Sequence, residues 1–399
     1  MRPRTGTRVR TGRVTGLRRA RWATTVVFSL HGAVFASWAA RIPAVRDLLG
    51  MGTGTLGIVL AMPALGALAG SQAGGKLVDV AGSRRIGAIA PTLLCFALGL
   101  IAAEHTTVSL SAGLLLLGAA DGATAVAMNA QAAAVQEGYG RSVFNGMHAV
   151  RSLGAVAGGL GGAALAALNV PLTAQFLATA AVLAALALPS GRFLLPGVTG
   201  TARTERLSPG RVRATVVLLA LLTFLAALVE DAPASWSGVY LSQLGAAGGI
   251  AAAGYAVFSA GEVASRVFAD RMVNRFGWPW VIRTGATVVC VVLAVTLLIG
   301  NVAVTLAALV VAGAGISVAF PGALAAAGTI PGSAAGTAMG QVNFAGNVGW
   351  LVVSPMIGGL SSVSSLPAAL AVLPVSAAGI ALLAFATGRH ARSRVPAVR

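Results

Sequence analysis

The chain has 399 residues, 57% of them hydrophobic and 10% charged, with a mean hydropathy of +0.86. A soluble domain covers its surface with about 25% charged residues, so this composition excludes a water-covered exterior and makes lipid the solvent. The net charge of +18 would suit nucleic acid in a soluble protein, but no soluble segment carries it, and basic loops beside anionic headgroups account for it instead.

A span needs about 20 apolar residues to cross roughly 30 Å of hydrocarbon, and about twelve runs meet that measure. The basic segment 1–21 reads as a cytoplasmic tail with a disordered distal part. The apolar run behind it is expected to be a retained first helix, not a cleaved signal peptide, because many spans follow. Helices are predicted near 22–42, 53–74, 86–104, 107–133, 142–166 and 171–189, forming an N-terminal six-helix bundle over 22–189. A polar stretch, Pro189–Arg213, contains a linker at 190–211 with Gly, Pro and arginines. A C-terminal six-helix bundle over 212–387 follows, with helices near 212–230, 248–269, 281–299, 302–327, 337–360 and 366–387, then a tail at 388–399. The expected fold is an all-α membrane protein of two pseudo-symmetric bundles.

The basic residues fix an orientation. Twenty-four of the 28 fall in the two tails, in alternate connections (Lys76, Arg84 and Arg85; Arg141; Arg271, Arg275 and Arg283) and in the linker. The other connections carry only Arg41 and Arg46, while Arg151 and Arg266 lie inside apolar runs. Basic side chains are retained on the cytoplasmic face, so both termini are expected inside. Cys95 and Cys290 fall mid-helix, which gives neither a structural disulfide nor metal-ligand spacing.

The halves resemble one another. Ala36-Ser37-Trp38 recurs as Ala234-Ser235-Trp236, Leu49-Gly50 as Leu244-Gly245, Cys95 as Cys290, Asp79 as Asp270 and Gly154 as Gly349, at offsets of 191 to 198. Together these suggest two parallel repeats. Small-residue ladders over Gly66–Gly75, Gly154–Gly162 and Gly313–Gly322 suit helices that approach closely in lipid.

After the second predicted helix comes Gly75-Lys76-Leu77-Val78-Asp79-Val80-Ala81-Gly82-Ser83-Arg84-Arg85. Gly75 and Gly82 would permit a tight turn, and Asp79 would cap the next helix and pair with arginine. The segment resembles the signature loop of the major facilitator superfamily, Gly-x-x-x-Asp-x-x-Gly followed by basic residues, with Val80 and Ser83 replacing usual basic positions. Arg266-x-x-x-Asp270-Arg271, with Gly277 beyond, looks like a degraded second copy. Ser37-Trp38-x-x-Arg41-Ile42-Pro43, Met128-Asn129-x-Gln131, Gly140-Arg141 and Phe144-x-x-x-His148-x-x-x-Ser152-Leu153-Gly154 are similar to bacterial permeases near the fucose/proton symporter branch. The resemblance implies alternating access around a central cavity. No Gly-x-x-x-x-Gly-Lys-Ser/Thr loop suggests ATP.

An ionisable group in mid-membrane costs at least about 2.5–3.5 kcal/mol and demands a reason. The candidates are His31, Asp121, His148, Arg151, Glu262 and Arg266. Asp121 is the expected proton carrier, since a desolvated carboxyl can load and release a proton as a cavity opens to each side; a static pair with Arg151 is the competing role. His148, Arg151 and His31 are expected to contact substrate, arginine suiting anionic or hydroxylated groups. Glu262 and Arg266, i and i+4, are expected to neutralise one another, with Glu262 a second coupling candidate. Asn343, Phe344 and Asn347 offer amides and an aromatic to a polar solute. Trp38 and Trp236 read as interfacial anchors, Glu230-Asp231 as a charge at the outer end of the seventh helix, and Phe320-Pro321 as a kink.

These readings converge on a secondary transporter for a small, sugar-like or otherwise polar solute, proton-coupled, monomeric, needing no cofactor and binding no nucleic acid. A drug or metabolite efflux antiporter of the same fold is the alternative. Its glycine–proline motif lacks proline in Gly158-Gly159-Leu160-Gly161-Gly162 but is approximated by Ser354-Pro355-Met356-Ile357-Gly358-Gly359. No nucleophile–base constellation suggests an enzyme.

Overall fold

The computed structural model describes residues 6–103, 106–139, 143–196, 211–328, 330 and 335–392. Arg141 and most of the linker therefore lie outside the described residues, as do the side chains of Asn145 and Asp270. In the first half α1 (Gly6–Ala39) breaks at Ala40–Arg41 and bends by 40° into the short α2 (Ile42–Leu48). There follow α3 (Thr53–Ala81), α4 (Ser83–Ile101), α5 (Thr107–Tyr139), α6 (Phe144–Ala167), α7 (Leu172–Ser190) and a 3-10 turn at Gly191–Phe193. The second half comprises α8 (Arg211–Gln243), α9 (Gly248–Ala252), α10 (Gly254–Phe276), α11 (Trp278–Ile299), α12 (Val302–Ile316), α13 (Ala319–Gly328), α14 (Ala335–Val363), α15 (Leu366–Leu370) and α16 (Val372–Arg392).

Among the described residues, ten helices are long and apolar enough to cross a membrane, or eleven with α1–α2 taken as one bent span. The remaining predicted span corresponds to α10, which has the length but carries Glu262, Arg266, Asp270, Arg271 and Arg275. Its charge, not its geometry, sets it apart. The first helix starts at Gly6, so basic residues expected in a disordered tail extend α1 instead. Prolines 63, 91, 233 and 355 sit inside helices; each frees the carbonyl four residues before it, a break that membrane helices tolerate. The predicted kink is a break at Ser317–Val318, one turn before Pro321, where proline cannot supply the N–H. The indole of Trp278 donates to Val318 O at 3.3 Å there. Large apolar side chains such as Leu298, Val291 and Phe96 are exposed, as a lipid-facing surface requires.

By packing, the chain divides into two compact units: residues 1–38, 65–158 and 170–201, and residues 39–64, 159–169 and 202–399. In unit 1, α4 lies against α5 and α7. In unit 2, α8 packs on α14 and α16, α10 on α12, and α11 on α12 and α16.

Glycine-lined crossings repeat between the halves at one strict offset of 195. A Cβ on Gly154 would lie 2.0 Å from Ser29 O, and one on Gly349 would lie 2.7 Å from Phe224 O. A Cβ on Gly66 would meet Leu115 O at 2.1 Å, and one on Gly261 would meet Val310 O at 2.1 Å. Gly82 and Gly277, the N-caps of α4 and α11, share φ of +83° and +82°, a region that favours glycine. Gly50 and Gly245 end their helices with the same reversed bonds, Met51 N to Arg46 O and Ala246 N to Leu241 O, each at 3.0 Å.

This register corrects two of the sequence matches. The Ala-Ser-Trp pair (198) and the Asp79–Asp270 pair (191) fall out of it. The counterpart of Gly75-x-x-x-Asp79-x-x-Gly82 is Asp270-x-x-x-Asn274-x-x-Gly277, with Arg271 at the position of Lys76 and neutral Asn274 at that of Asp79.

Candidate functional site

The helices of unit 1 bring ionisable side chains together in mid-helix. Asp121 lies midway along α5, whose path is set by α3. Cβ atoms on Gly66, Gly70 and Gly122 would stand 2.1, 2.0 and 2.2 Å from backbone oxygens of Leu115, Ala119 and Ala67. Dispersion between close backbones holds such a crossing in lipid, where no hydrophobic drive exists. On the other side α1 meets α6 in the same way: a Cβ on Gly32 would lie 2.1 Å from Arg151 O. The neighbours of Asp121 and His31 in sequence, Gly122 and Gly32, are thus the contact points that fix where these two side chains start.

His31 Nε2 lies 2.9 Å from Asp121 Oδ1. The His31 side chain is 10% exposed and that of Asp121 26%. The approach has hydrogen-bond length but not hydrogen-bond direction, and both imidazole nitrogens remain without a well-aligned partner among the described residues. Asp121 is therefore paired with His31 across α1 and α5, and the competing pairing with Arg151 is not formed. Arg151, half-buried, makes no ion pair among the described residues. His148, one turn before it, stands edge-on to Phe28 at 4.9 Å between ring centroids. A histidine–carboxylate pair, with an arginine cation on the adjoining helix, sets an imidazole and a carboxylate side by side in an otherwise apolar bundle.

In unit 2, Glu262 is buried and accepts from Arg266 Nη2 at 3.0 Å. This is the neutralisation the i,i+4 spacing implies, and Ser265 and Ser317 hydrogen-bond beside it at 3.0 Å. Removing the cation alone strands a buried carboxylate, which costs up to about 3–5 kcal/mol; partial exposure of Arg266, 23% for its side chain, lowers that figure. Arg266→Met is thus expected to lower resistance to SDS unfolding sharply, and the double variant with Glu262→Gln to recover most of the loss. On α14, Asn343 and Phe344 are exposed and Asn347 is half-buried. Trp350, three residues on, stacks on Phe320 at 5.0 Å and 4°.

Several expectations change. Trp38 and Trp236 are buried, not interfacial, and Trp38 packs against Phe176. Gly75 is inside α3 and shapes no turn; Gly82 alone does that. Asp79 is exposed within α3 and caps nothing, since Gly82 is the N-cap and α4 has no side-chain cap bond. Neither Asp79 nor Arg85 has an ion pair among the described residues. Arg84 Nη2 donates to Arg192 O at 2.9 Å, and Arg271 is exposed. Gln131 Nε2 donates to Ser83 Oγ and Leu195 O, while its Oε1 accepts from Leu195 N at 2.9 Å. That side chain clasps the start of the linker to α4 and α5.

Sequence reasoning misplaced Glu230 and Asp231. They lie inside α8, which continues to Gln243, and Ser235 Oγ donates to Asp231 Oδ2 at 3.4 Å. The strict repeat carries the signal, because it sets them opposite Phe35 and Ala36, within the first predicted helix.

Two repeated sets of apolar helices, each holding a pair of ionisable side chains within it, describe a multi-pass membrane protein. The family model of the Major Facilitator Superfamily matches residues 23–355, and the chain belongs to that family, one of transporters and not of enzymes. An uncharacterised transporter of this type from Yersinia pestis is 30% identical over 349 residues, covering 87% of this chain and 90% of the relative. Membrane protein MosC of Rhizobium meliloti is 27% identical over 347 residues, covering 86% and 84%. Among solved structures, the nucleoside transporter NupG superposes with a TM-score of 0.70 at 15% identity, covering 94% of this chain and all of that one. A bacterial homologue of the human lysosomal transporter Spinster, inward-facing and unoccupied, gives 0.71 at 13% identity, covering 94% and 98%. Both share the fold.

Proposed function

We propose that this protein is a proton-coupled secondary transporter that carries a small polar, sugar-like solute across the cytoplasmic membrane by alternating access. The observation that carries the reading is the His31–Asp121 pair, mid-helix in an apolar bundle. A proton arriving on the Asp121 carboxylate makes it a neutral acid and removes the attraction that holds His31. His31, His148 and Arg151 then become available to hydroxyl or anionic groups of the solute, with Asn343, Phe344 and Asn347 contributing from α14. Release of solute and proton on the other side restores the pair. Glu262 is the second coupling group only when Arg266 swings away from it.

In this reading the protein works as a monomer of two rocking six-helix bundles, 22–189 and 212–387, with both termini cytoplasmic. Rocking is supported by the glycine seams of unit 2. There a Cβ on Gly57 would lie 2.6 Å from Ser354 O, and one on Gly358 would lie 2.6 Å from Thr53 O. One on Gly159 would meet Ala256 Cβ at 2.8 Å. Seams without interdigitated side chains separate and reseal without unpicking a core. Asp79, Arg84 and Arg85, with Arg271 in the second repeat, are the gating-loop residues of this reading.

Efflux by antiport uses the same proton step in reverse, and Pro355 and Gly358 in α14 keep it as the second reading. The test begins with a thermal-shift screen for a polar solute that stabilises the protein in detergent. The solute found is then added to proteoliposomes containing a pH-sensitive dye. Symport is expected to acidify the lumen on adding solute outside, and antiport to make the lumen alkaline. Transport that moves no protons and ignores an imposed pH gradient would overturn the coupling.

A further inference from the structure

Cations gather at the end of unit 1 where α4 starts and α7 finishes. Arg84 and Arg85 stand in the first turn of α4, and Arg192 in the 3-10 turn after α7; all three are exposed. Glycines dock these segments on one another. A Cβ on Gly191 would lie 2.3 Å from Ala88 Cβ, and one on Gly87 would lie 2.9 Å from Leu194 Cδ1. Arg84 Nη2 then reaches Arg192 O at 2.9 Å, and Arg192 Nε donates to Pro189 O at 3.1 Å. The Arg192 guanidinium also lies over the Phe193 ring, 5.3 Å from its centroid. The head of Arg84 is thus pinned beside the backbone of a second arginine. No carboxylate neutralises the cluster among the described residues, and Asp79, exposed at the end of α3, pairs with none of the three.

Cations in the first turn of a helix oppose its dipole. The second repeat avoids that conflict, for at the spacing of 195 the three positions are Pro279, Trp280 and Thr387. Trp280, stacked on Phe276 at 4.6 Å, also marks the depth, since tryptophan collects where hydrocarbon meets headgroups. Exposed apolar side chains begin at the same level in the first repeat. Arg85, Ile89, Leu93 and Phe96 follow one another at helical spacing along α4 and are all exposed, as are Val182 and Leu186 on α7, which packs against α4. We propose that this α4–α7 face binds an anionic phospholipid, its phosphodiester held by Arg84, Arg85 and Arg192 and its acyl chains laid along Ile89, Leu93 and Phe96. Guanidinium forks match phosphate oxygens, and the bound anion offsets the unfavourable dipole. A zwitterionic headgroup would bring an ammonium among three cations. The site stands apart from the mid-helix His31–Asp121 pair and holds whether or not transport is proton-coupled.

The test uses the full chain in phosphatidylcholine nanodiscs doped with phosphatidylglycerol that carries a diazirine on one acyl chain. After irradiation and digestion, mass spectrometry is expected to place label on segments 85–96 and 182–193. The yield there should be on the order of tenfold above that from a phosphatidylcholine probe with the same chain. Unlabelled phosphatidylglycerol should compete. Inorganic phosphate should compete no better than chloride at equal ionic strength, which separates a lipid from a free anion. Combining Arg84→Gln, Arg85→Gln and Arg192→Gln should bring the label down to the phosphatidylcholine level. Arg18→Gln with Arg19→Gln, at exposed positions near the start of α1, should leave it unchanged. Should the triple variant fail to fold, the two probes on the unaltered chain decide alone. Equal labelling by both probes, displacement by inorganic phosphate, the same loss in the Arg18 and Arg19 variant, or an excess spread evenly onto Val291 and Leu298 of α11 would overturn the proposal.

Discussion

Asp121→Asn is expected to abolish uphill uptake driven by a pH gradient while sparing downhill exchange of solute. A one-unit pH gradient stores about 1.4 kcal/mol per proton, which at one proton per solute sustains a tenfold solute gradient. Without a titrating group at this position, accumulation should fall from about tenfold to none. Asparagine has nearly the volume of aspartate, so the backbone contact of Gly122 with Ala67 O is undisturbed. The pair lost is quarter-exposed on the Asp121 side, so its contribution to stability is on the order of 1 kcal/mol and the variant should fold. Proteoliposome uptake and counterflow assays separate the two roles. A purely structural tie between α1 and α5 would slow uptake and exchange together and leave the response to pH intact. Full pH-driven accumulation by the variant would remove Asp121 from the coupling step.

Much of this architecture was legible because lipid imposes simple rules. Apolar run length fixed the helices, and charge-free glycine and alanine ladders marked crossings such as Gly154 on Ser29 and Gly66 on Leu115. Pairing across the bundle was not legible. His31 and Asp121 are ninety positions apart, and nothing local tells Asp121 to choose His31 over Arg151. The choice follows from the α1–α6 contact, where the backbone of Arg151 sits against Gly32 and its side chain must leave from another face. Helix ends misled in a physical way too. Ala232-Pro233-Ala234-Ser235-Trp236-Ser237-Gly238 looks like a loop on propensity, yet it is helical with Trp236 packed in the core. Tertiary burial overrides local preference there, which is why Glu230 and Asp231 read from the sequence as the outer end of the seventh helix. The repeat, read at its strict spacing, would have corrected the error.

The sharpest structural contrast lies within one helix. Gly70 and Gly75 are five residues apart in α3, yet Ala at the two positions should have opposite effects. A Cβ on Gly70 would lie 2.0 Å from Ala119 O and 2.6 Å from Ala119 C, both backbone atoms that cannot swing aside. The α3–α5 crossing must then open. Overpacking of this kind costs about 1–3 kcal/mol and occasionally more, here with little chance of local relief. Asp121, two residues beyond Ala119, moves with α5, so the folded fraction of Gly70→Ala should also transport poorly. At Gly75 nothing lies within 4 Å of the added carbon, and helix propensity alone favours alanine by about 0.8–1 kcal/mol. SDS unfolding in mixed micelles should therefore show Gly70→Ala strongly destabilised and Gly75→Ala slightly stabilised. The second result bears on the signature loop as well. If Gly75 mattered as a turn residue, alanine there would destabilise; as a helical residue with open space around it, it should not. Destabilisation of similar size at both positions would contradict the close approach of α3 and α5, and with it the placement of Asp121 beside His31.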